Sequence, residues 1–352
     1  MEFRFTDEQE MIAETAKAFF AENATSERTR AAMTHGWGFD PALWQELGQT
    51  LGLTGAIFPE AHGGAGLGLV ELASIAEAAG AHVAALPLLG QVMAGRAIMT
   101  GGSDAQRETY LQALASGDTI AAVAEMEEAA LDGASLTGHA DFVPHGESAS
   151  LYLVRNGEGL WLVDRDAAGV EVESKISMDQ TRPFAQLRFD KAAAGPLPDG
   201  AAAWQAAQAA GLVYLAAEAL GGAQGALDRT VAYSKERIQF GRPIGSFQAY
   251  KHRLADMMIA IEEARSAVYW AACAVDEAAE DADFAMHAAK SLAADVFFKC
   301  AGDMIQLHGG IGFTWEHDAH LFFKRARSIQ TLMGSGDTHR EALATMILGE
   351  AA

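Results

Sequence analysis

Residues Arg237 to Gln248 read R-I-Q-F-G-R-P-I-G-S-F-Q, and the reading of the whole chain turns on them. A fixed cation, an aromatic, paired glycines and an amide fall at R-x-x-F-G-x-x-I-G-x-x-Q spacing. An Ala-rich helical run over about 201–236 precedes the stretch and another helical run starts near 248. Gly241, Pro243 and Gly245 break helix between them, so a helix-loop-helix junction is expected. Arg237 presents a planar fork of donors that suits a pyrophosphate. The glycines let backbone amides come close to such a group, and Gln248 can answer an adenine or a ribose. The plainer alternative is an ordinary connection between antiparallel helices with an Arg ion pair, and the spacing alone admits both.

The chain has 352 residues, half of them hydrophobic, enough for a large core divided among two or three domains. A formal charge of -22 makes nucleic acid a poor partner, because phosphate binding needs a basic face. The same charge opposes an anionic thioester of coenzyme A, so a site for one needs local Arg and Lys. Cys273 and Cys300 are the two cysteines, both in apolar helical runs, which gives no disulfide framework and suits a reducing compartment. No apolar signal core opens the chain and no apolar run approaches a membrane span, so a soluble, cytoplasmic protein is expected. No metal site is expected.

Thr6 with Gln9 three residues on forms a capping-box pattern, and Ile12, Ala16, Phe19 and Phe20 recur at helical spacing. Further helices are expected at about 41–52, 68–80, 88–100 and 104–116, with the Pro- and Gly-rich residues 51–68 as a loop. Over about 119–200 short alternating or apolar runs such as S-L-Y-L-V-R and G-L-W-L-V-D stand between turn residues and read as strands. From about 201 the chain turns helical to its end, with small residues that allow close helix packing. One helix sets Leu254, Met257, Met258, Ile261, Val268, Ala272 and Val275 on a single stripe. Another, about 284–308, ends in Q-L-H-G-G-I-G-F, where Gly309 and Gly310 stop the helix beside Gln306. Their exposed amides suit a nucleotide; a plain glycine cap is the alternative, with His308 structural.

Four segments, in order, resemble those of the acyl-CoA dehydrogenase family: P-E-A-H-G-G-A-G at 59–66, M-D-Q-T-R-P-F-A-Q-L-R-F-D at 178–190, Arg237 to Gln248, and Gln306 to Phe313 with K-R-A-R at 324–327 after it. The last departs at the position where the family carries an acid. The resemblance covers nearly the whole chain. It implies a mainly α fold with a small β domain: an N-terminal helical domain over 1–118, a middle barrel-like β domain over 119–200, and a C-terminal four-helix bundle over 201–352. It also implies FAD as cofactor, with Arg237, Gln239, Phe240, Gly241, Ile244 and Gln248 on the diphosphate and adenosine, reached across a subunit interface. Gln306, Gly309 and Gly310 complete that set.

In this family a carboxylate removes the Cα proton of an acyl-CoA while hydride leaves Cβ for the flavin. Counting from Arg340 places Met333 where one class of relatives carries that Glu, and counting back from Arg237 places Gly211 where another does. Neither residue can accept a proton. Glu218 lies two turns, about 10 Å, beyond Gly211 and is a weak candidate better read as a structural acid. Asp337 and Glu341 have no better claim. On the ring side, residues 124–133 replace a Thr-Glu-Pro segment, and F-V-P-H at 142–145 puts Pro144, which has no N–H, where the family hydrogen-bonds the flavin through Thr.

These departures resemble a short branch of the family in which a base-lacking subunit joins a larger catalytic one in an α2β2 tetramer that works on steroid side-chain or similarly bulky acyl-CoA esters. The implied partners are the acyl-CoA substrate, that larger subunit or further copies of this chain, and an electron-transfer flavoprotein as acceptor. The alternatives are a self-sufficient homo-oligomeric dehydrogenase using Glu218, a noncatalytic scaffold or binding protein on the same fold, and a flavin monooxygenase or nitroalkane-oxidising relative.

Overall fold

The computed structural model describes residues 4–34, 38–126, 129–157 and 159–349. In chain order the elements are α1 (Asp7–Asn23), α2 (Ser26–Thr34), α3 (Pro41–Gln45), α4 (Leu69–Gly80), α5 (Leu88–Gly101) and α6 (Asp104–Ser116). Then come β1 (Ala121–Met126), β2 (Ala129–Asp132), β3 (Ser135–Pro144), β4 (Leu151–Asn156), β5 (Gly159–Asp164), β6 (Val170–Lys175), β7 (Phe184–Ala193) and β8 (Gly195–Pro196). The remainder is α7 (Gly200–Glu236), the short strands β9 (Ile238–Gln239) and β10 (Arg242–Pro243), α8 (Gln248–Asp276), α9 (Ala282–His308), α10 (Ala319–Thr331) and α11 (Gly336–Leu348). The order is helical, then β, then helical, and the fold is mainly α with a small β part. Among the described residues no helix is long and apolar enough to cross a membrane.

The chain forms two compact units. One comprises residues 27–68 and 85–211 and holds both larger sheets. Their strand orders are β1-β4-β5-β8 and β2-β3-β7-β6, with β1 and β4 parallel and the other pairs antiparallel. Alternate residues of both sheets, among them Leu136, Ala140, Tyr152, Val154, Val163, Leu187 and Phe189, close one apolar core. The side chain of Gln91 fastens this unit by donating to the Leu114 and Thr119 carbonyls while its oxygen accepts from Ala121 N–H. Strand β3 carries a bulge between Ala140 and Val143.

The other unit comprises residues 1–26, 69–84 and 212–352. The capping box on α1 forms as its sequence requires: Thr6 Oγ1 accepts from Gln9 N–H, and Gln9 Oε1 accepts from Thr6 N–H. The Asp276 carboxylate, at the end of α8, accepts from Leu69 and Val70 N–H and so supplies α4 with an N-terminal cap and an anion on its dipole. Where α4 crosses α7 the contact is glycine on backbone from both sides: a methyl on Gly80 would run into the Glu218 carbonyl, and one on Gly221 into that of Glu77. The Ala- and Gly-rich start of the C-terminal segment is thus the face on which another helix lies directly.

The expected helix-loop-helix junction between α7 and α8 forms, and within it β9 and β10 pair as a hairpin. Phe240 at φ 53 and Gly241 at φ 76 form its two-residue turn, the mirror-image geometry that matches strand twist. In addition Met258 leaves the expected stripe. It is 54% exposed while Met257 is 1% exposed, because the neighbouring residues point to opposite edges of the α8 face.

Candidate functional site

The hairpin stands on the end of α7. Arg237 N–H donates to Tyr233 O at 2.9 Å, and Arg237 O accepts from Ile244 N–H at 2.9 Å, which closes the hairpin on the helix end. Gly245 lies against Ser234, whose Oγ would be 2.7 Å from an added Cβ. The Arg242 guanidinium lies 4.0 Å from the centre of the Phe247 ring, and Phe240 meets the same ring edge-on. Phe240 itself is 91% exposed in a left-handed conformation that costs any residue but glycine. An exposed aromatic in such a conformation is available for contact with another molecule.

The second motif lies beside the first. Helix α9 ends at His308, and Gly309 adopts φ 64 and ψ -142, a conformation reserved in practice for glycine. Tyr250, in the first turn of α8, donates its hydroxyl to Leu307 O at 3.1 Å. The Tyr233 ring stacks on His308 with centroids 4.5 Å apart and planes 22° apart. The ends of α7 and α9 and the start of α8 therefore converge. Burial pushes the Tyr250 hydroxyl up to about 12, so it remains a donor.

The exposed surface at this convergence has the character of a site for an anionic, extended ligand. Arg237, Gln248 and Gln306 are exposed, and among the described residues no protein group engages their side chains. An added Cβ on Gly241, Gly309 or Gly310 would meet nothing within 4 Å, so the backbone at all three is open to an approaching group. Gln239 is turned back, its amide donating to Ile238 O at 2.9 Å, and Ile244 is half-buried under the short 3-10 turn that it begins. A free guanidinium, two free amides and open glycine backbone are the donor set that a diphosphate and an adenosine require.

The candidate base positions lie elsewhere. Met333 sits in the turn after α10 with φ 55, and Gly211 is buried within α7. Beneath the Met333 turn, fully buried Lys290 donates to Ile329 O at 3.0 Å and Gly334 O at 3.3 Å. Burial pulls this ammonium down to about 8. Glu218 is held by Arg325 at 2.5 Å, both side chains 2% exposed, and Arg325 also donates to Ala84 O. Arg325 is the residue at which K-R-A-R departs from the family's acid, so the two oddities of the sequence are one ion pair. Asp337 is paired with Arg340 at 2.8 Å on the surface, and Glu341 is exposed.

On the β unit, Phe142 takes φ 55 in the β3 bulge and is 71% exposed. Pro144 ends β3, and His145 N–H donates to Pro183 O at 2.8 Å. Of the stretch 124–133, Glu127 and Glu128 lie outside the described residues. A cleft of about 1530 Å³ lies between α1, α4, α7 and α8, walled by Glu77, Arg229, Arg265 and Tyr269. None of the predicted cofactor residues lines it. Sequence reasoning passed over Tyr233 and Tyr250, which join the two motifs; lying just outside the motif boundaries, they read as ordinary helix residues.

Comparison with known proteins identifies the family. The sequence models described as acyl-CoA dehydrogenase N-terminal domain and acyl-CoA dehydrogenase C-terminal domain match residues 6–118 and 199–348. The chain is 36% identical over 329 residues to acyl-CoA dehydrogenase IpdE2 of Mycolicibacterium smegmatis, covering 94% of this chain and 95% of that protein. Among solved structures, a variant of the Tcur3481-Tcur3483 steroid ACAD is 34% identical with a TM-score of 0.89, covering 97% of this chain and 98% of the other. The ChsE4-ChsE5 complex from Mycobacterium tuberculosis is 26% identical with a TM-score of 0.91 over the full length of both chains.

Proposed function

This chain belongs to the acyl-CoA dehydrogenase family, and from that premise we propose that it is the FAD-holding, base-lacking subunit of a heteromeric acyl-CoA dehydrogenase. The observation that carries the proposal is the division of the site's parts. A complete set of free groups for a dinucleotide stands exposed at the end of the helical unit. The two positions where a base is expected hold Met333 and Gly211, and Glu218 is consumed in a buried ion pair.

Arg237 would take the diphosphate, which the open backbone at Gly309 and Gly310 lets come close, while Gln248 and Gln306 would orient the adenosine. Phe240 and the Arg242–Phe247 pair would shield that contact from water. FAD bound there supplies the electron acceptor for α,β-dehydrogenation of an acyl-CoA thioester. Removal of an α-proton needs a carboxylate, so a second, larger acyl-CoA dehydrogenase subunit supplies it. Two relatives whose names pair two chains, Tcur3481-Tcur3483 and ChsE4-ChsE5, support this reading, and the first supports a bulky, steroid-derived acyl group. An electron-transfer flavoprotein would reoxidise the flavin.

The test is Arg237→Ala in the assembled complex. FAD content should fall at least tenfold with the unfolding midpoint unchanged, since Arg237 is exposed and pairs with no carboxylate among the described residues. Unaltered flavin content would refute the assignment.

A further inference from the structure

His308 joins the two cofactor segments, yet it belongs to neither set of expected contacts. It is buried, 4% exposed, and its ring meets two others: Tyr233, stacked on it at 4.5 Å, and His317, tilted against it at 4.4 Å with planes 48° apart. Its Nδ1 is 2.7 Å from Met304 O, which makes Nδ1 the protonated nitrogen, since a carbonyl can only accept. His317 Nδ1 accepts from Ala319 N–H at 3.1 Å at the head of α10, which fixes the complementary tautomer there.

Each contact of this stack leads to a piece of the proposed cofactor surface. Tyr233 carries the carbonyl that receives Arg237 N–H, so the position of its ring sets the root of the hairpin. The residue after His308 is Gly309, whose unusual backbone conformation begins where the imidazole is clamped. His317 lies on the segment between the glycine turn and α10. We infer that His308 is a positioning residue: its neutral ring, locked by Met304, stacked on by Tyr233 and flanked by His317, holds the Arg237 hairpin and the Gly309–Gly310 turn in the register that one dinucleotide spans. The inference rests on the FAD assignment above and adds to it a residue that touches no ligand.

It carries a consequence for pH. A second proton on His308 puts an imidazolium 4.4 Å from a ring that can itself become charged. The rings against His308 are those of Tyr233 and His317, and neither supplies a carboxylate to offset the new charge. Burial, with His317 beside it, holds His308 below the usual histidine range despite the Met304 carbonyl. The stack is therefore intact at neutral pH and opens only in acid.

The experiment measures FAD affinity of the assembled, refolded complex by flavin fluorescence from pH 7.5 to 5 for wild type, His308→Ala, His308→Phe, Tyr233→Leu and Arg237→Ala, with circular dichroism to confirm folding. At pH 7.5 His308→Ala and Tyr233→Leu should bind FAD about tenfold more weakly. His308→Phe keeps the stack and should stay within about threefold of wild type. Wild-type affinity should fall toward the acid end of this range, and His308→Phe should abolish most of that fall. Folded His308→Ala with wild-type affinity, or His308→Phe with the wild-type pH profile, overturns the inference; if His308→Ala does not fold, Tyr233→Leu with wild-type affinity does so. If Arg237→Ala also keeps its FAD, the cofactor assignment fails and this inference with it.

Discussion

Replacing Glu218 by Gln separates a structural acid from a catalytic base. Glu218 and Arg325 are each 2% exposed and 2.5 Å apart, so the pair is screened by almost no water. Removing one charge leaves the buried Arg325 guanidinium without its Glu218 carboxylate, with the Ala84 carbonyl among its remaining neighbours. A buried charge left this way costs about 3–5 kcal/mol. For a unit of this size each kcal/mol moves Tm by about 2–4 °C, so the transition should drop by on the order of 10 °C. Thermal unfolding followed by circular dichroism reads the loss. Flavin reduction on adding an acyl-CoA to the assembled complex, measured well below the transition, should be unchanged. Replacing both partners together, Glu218→Gln with Arg325→Met, should cost less than the sum of the single changes, because no charge is then stranded. An unchanged Tm with reduction abolished would show that Glu218 acts as a base and that its pairing with Arg325 is incidental.

Acid should destabilise the fold through His339, which burial, with Lys290 and His287 beside it, pulls down to about 4. Its unfolded value is near 6.5, so the unfolded chain binds the extra proton first; stability is full above 6.5 and is lost as pH falls toward 4, by about 3 kcal/mol in all. Urea midpoints at pH 7.5 and 5 should therefore differ less in His339→Gln than in wild type, and an equal difference would contradict this. Gly221→Ala places a methyl against the Glu77 carbonyl where α4 crosses α7 and should cost about 3 kcal/mol in the same assay; a neutral effect would mean the helices separate freely. Lys290→Met should remove a rise in stability between pH 8 and 10.5 that wild type shows, because the buried ammonium, held at about 8, loses its proton in the fold before it does in the unfolded chain.

Local chemistry made much of this molecule legible from sequence. The capping box at Thr6, the strand run at 159–164 and the end of α9 at His308 each depend on residues adjacent in the chain, and each formed as expected. What sequence could not supply was pairing over distance. Glu218 and Arg325 each stood out separately, one as a lone acid among alanines and the other as a cation in place of an acid, but 107 positions separate them. Only the packing of α10 on the α4–α7 crossing region explains both. The Arg237 hairpin was missed for a different reason: helix breakers announce a turn but not its type, and Phe240 at positive φ runs against its own preference. Such a conflict between local preference and structure is expected where a residue serves a ligand rather than the fold.

The central claim is that this chain holds FAD for chemistry whose base lies on another polypeptide. Native mass spectrometry of the chain purified from its own cells, with flavin content measured on the same sample, tests it directly. The account predicts equal numbers of this chain and a larger acyl-CoA dehydrogenase subunit, FAD bound to the complex, and no reduction of flavin by acyl-CoA when this chain is isolated. A homo-oligomer with one FAD per chain that is reduced by an acyl-CoA would contradict it.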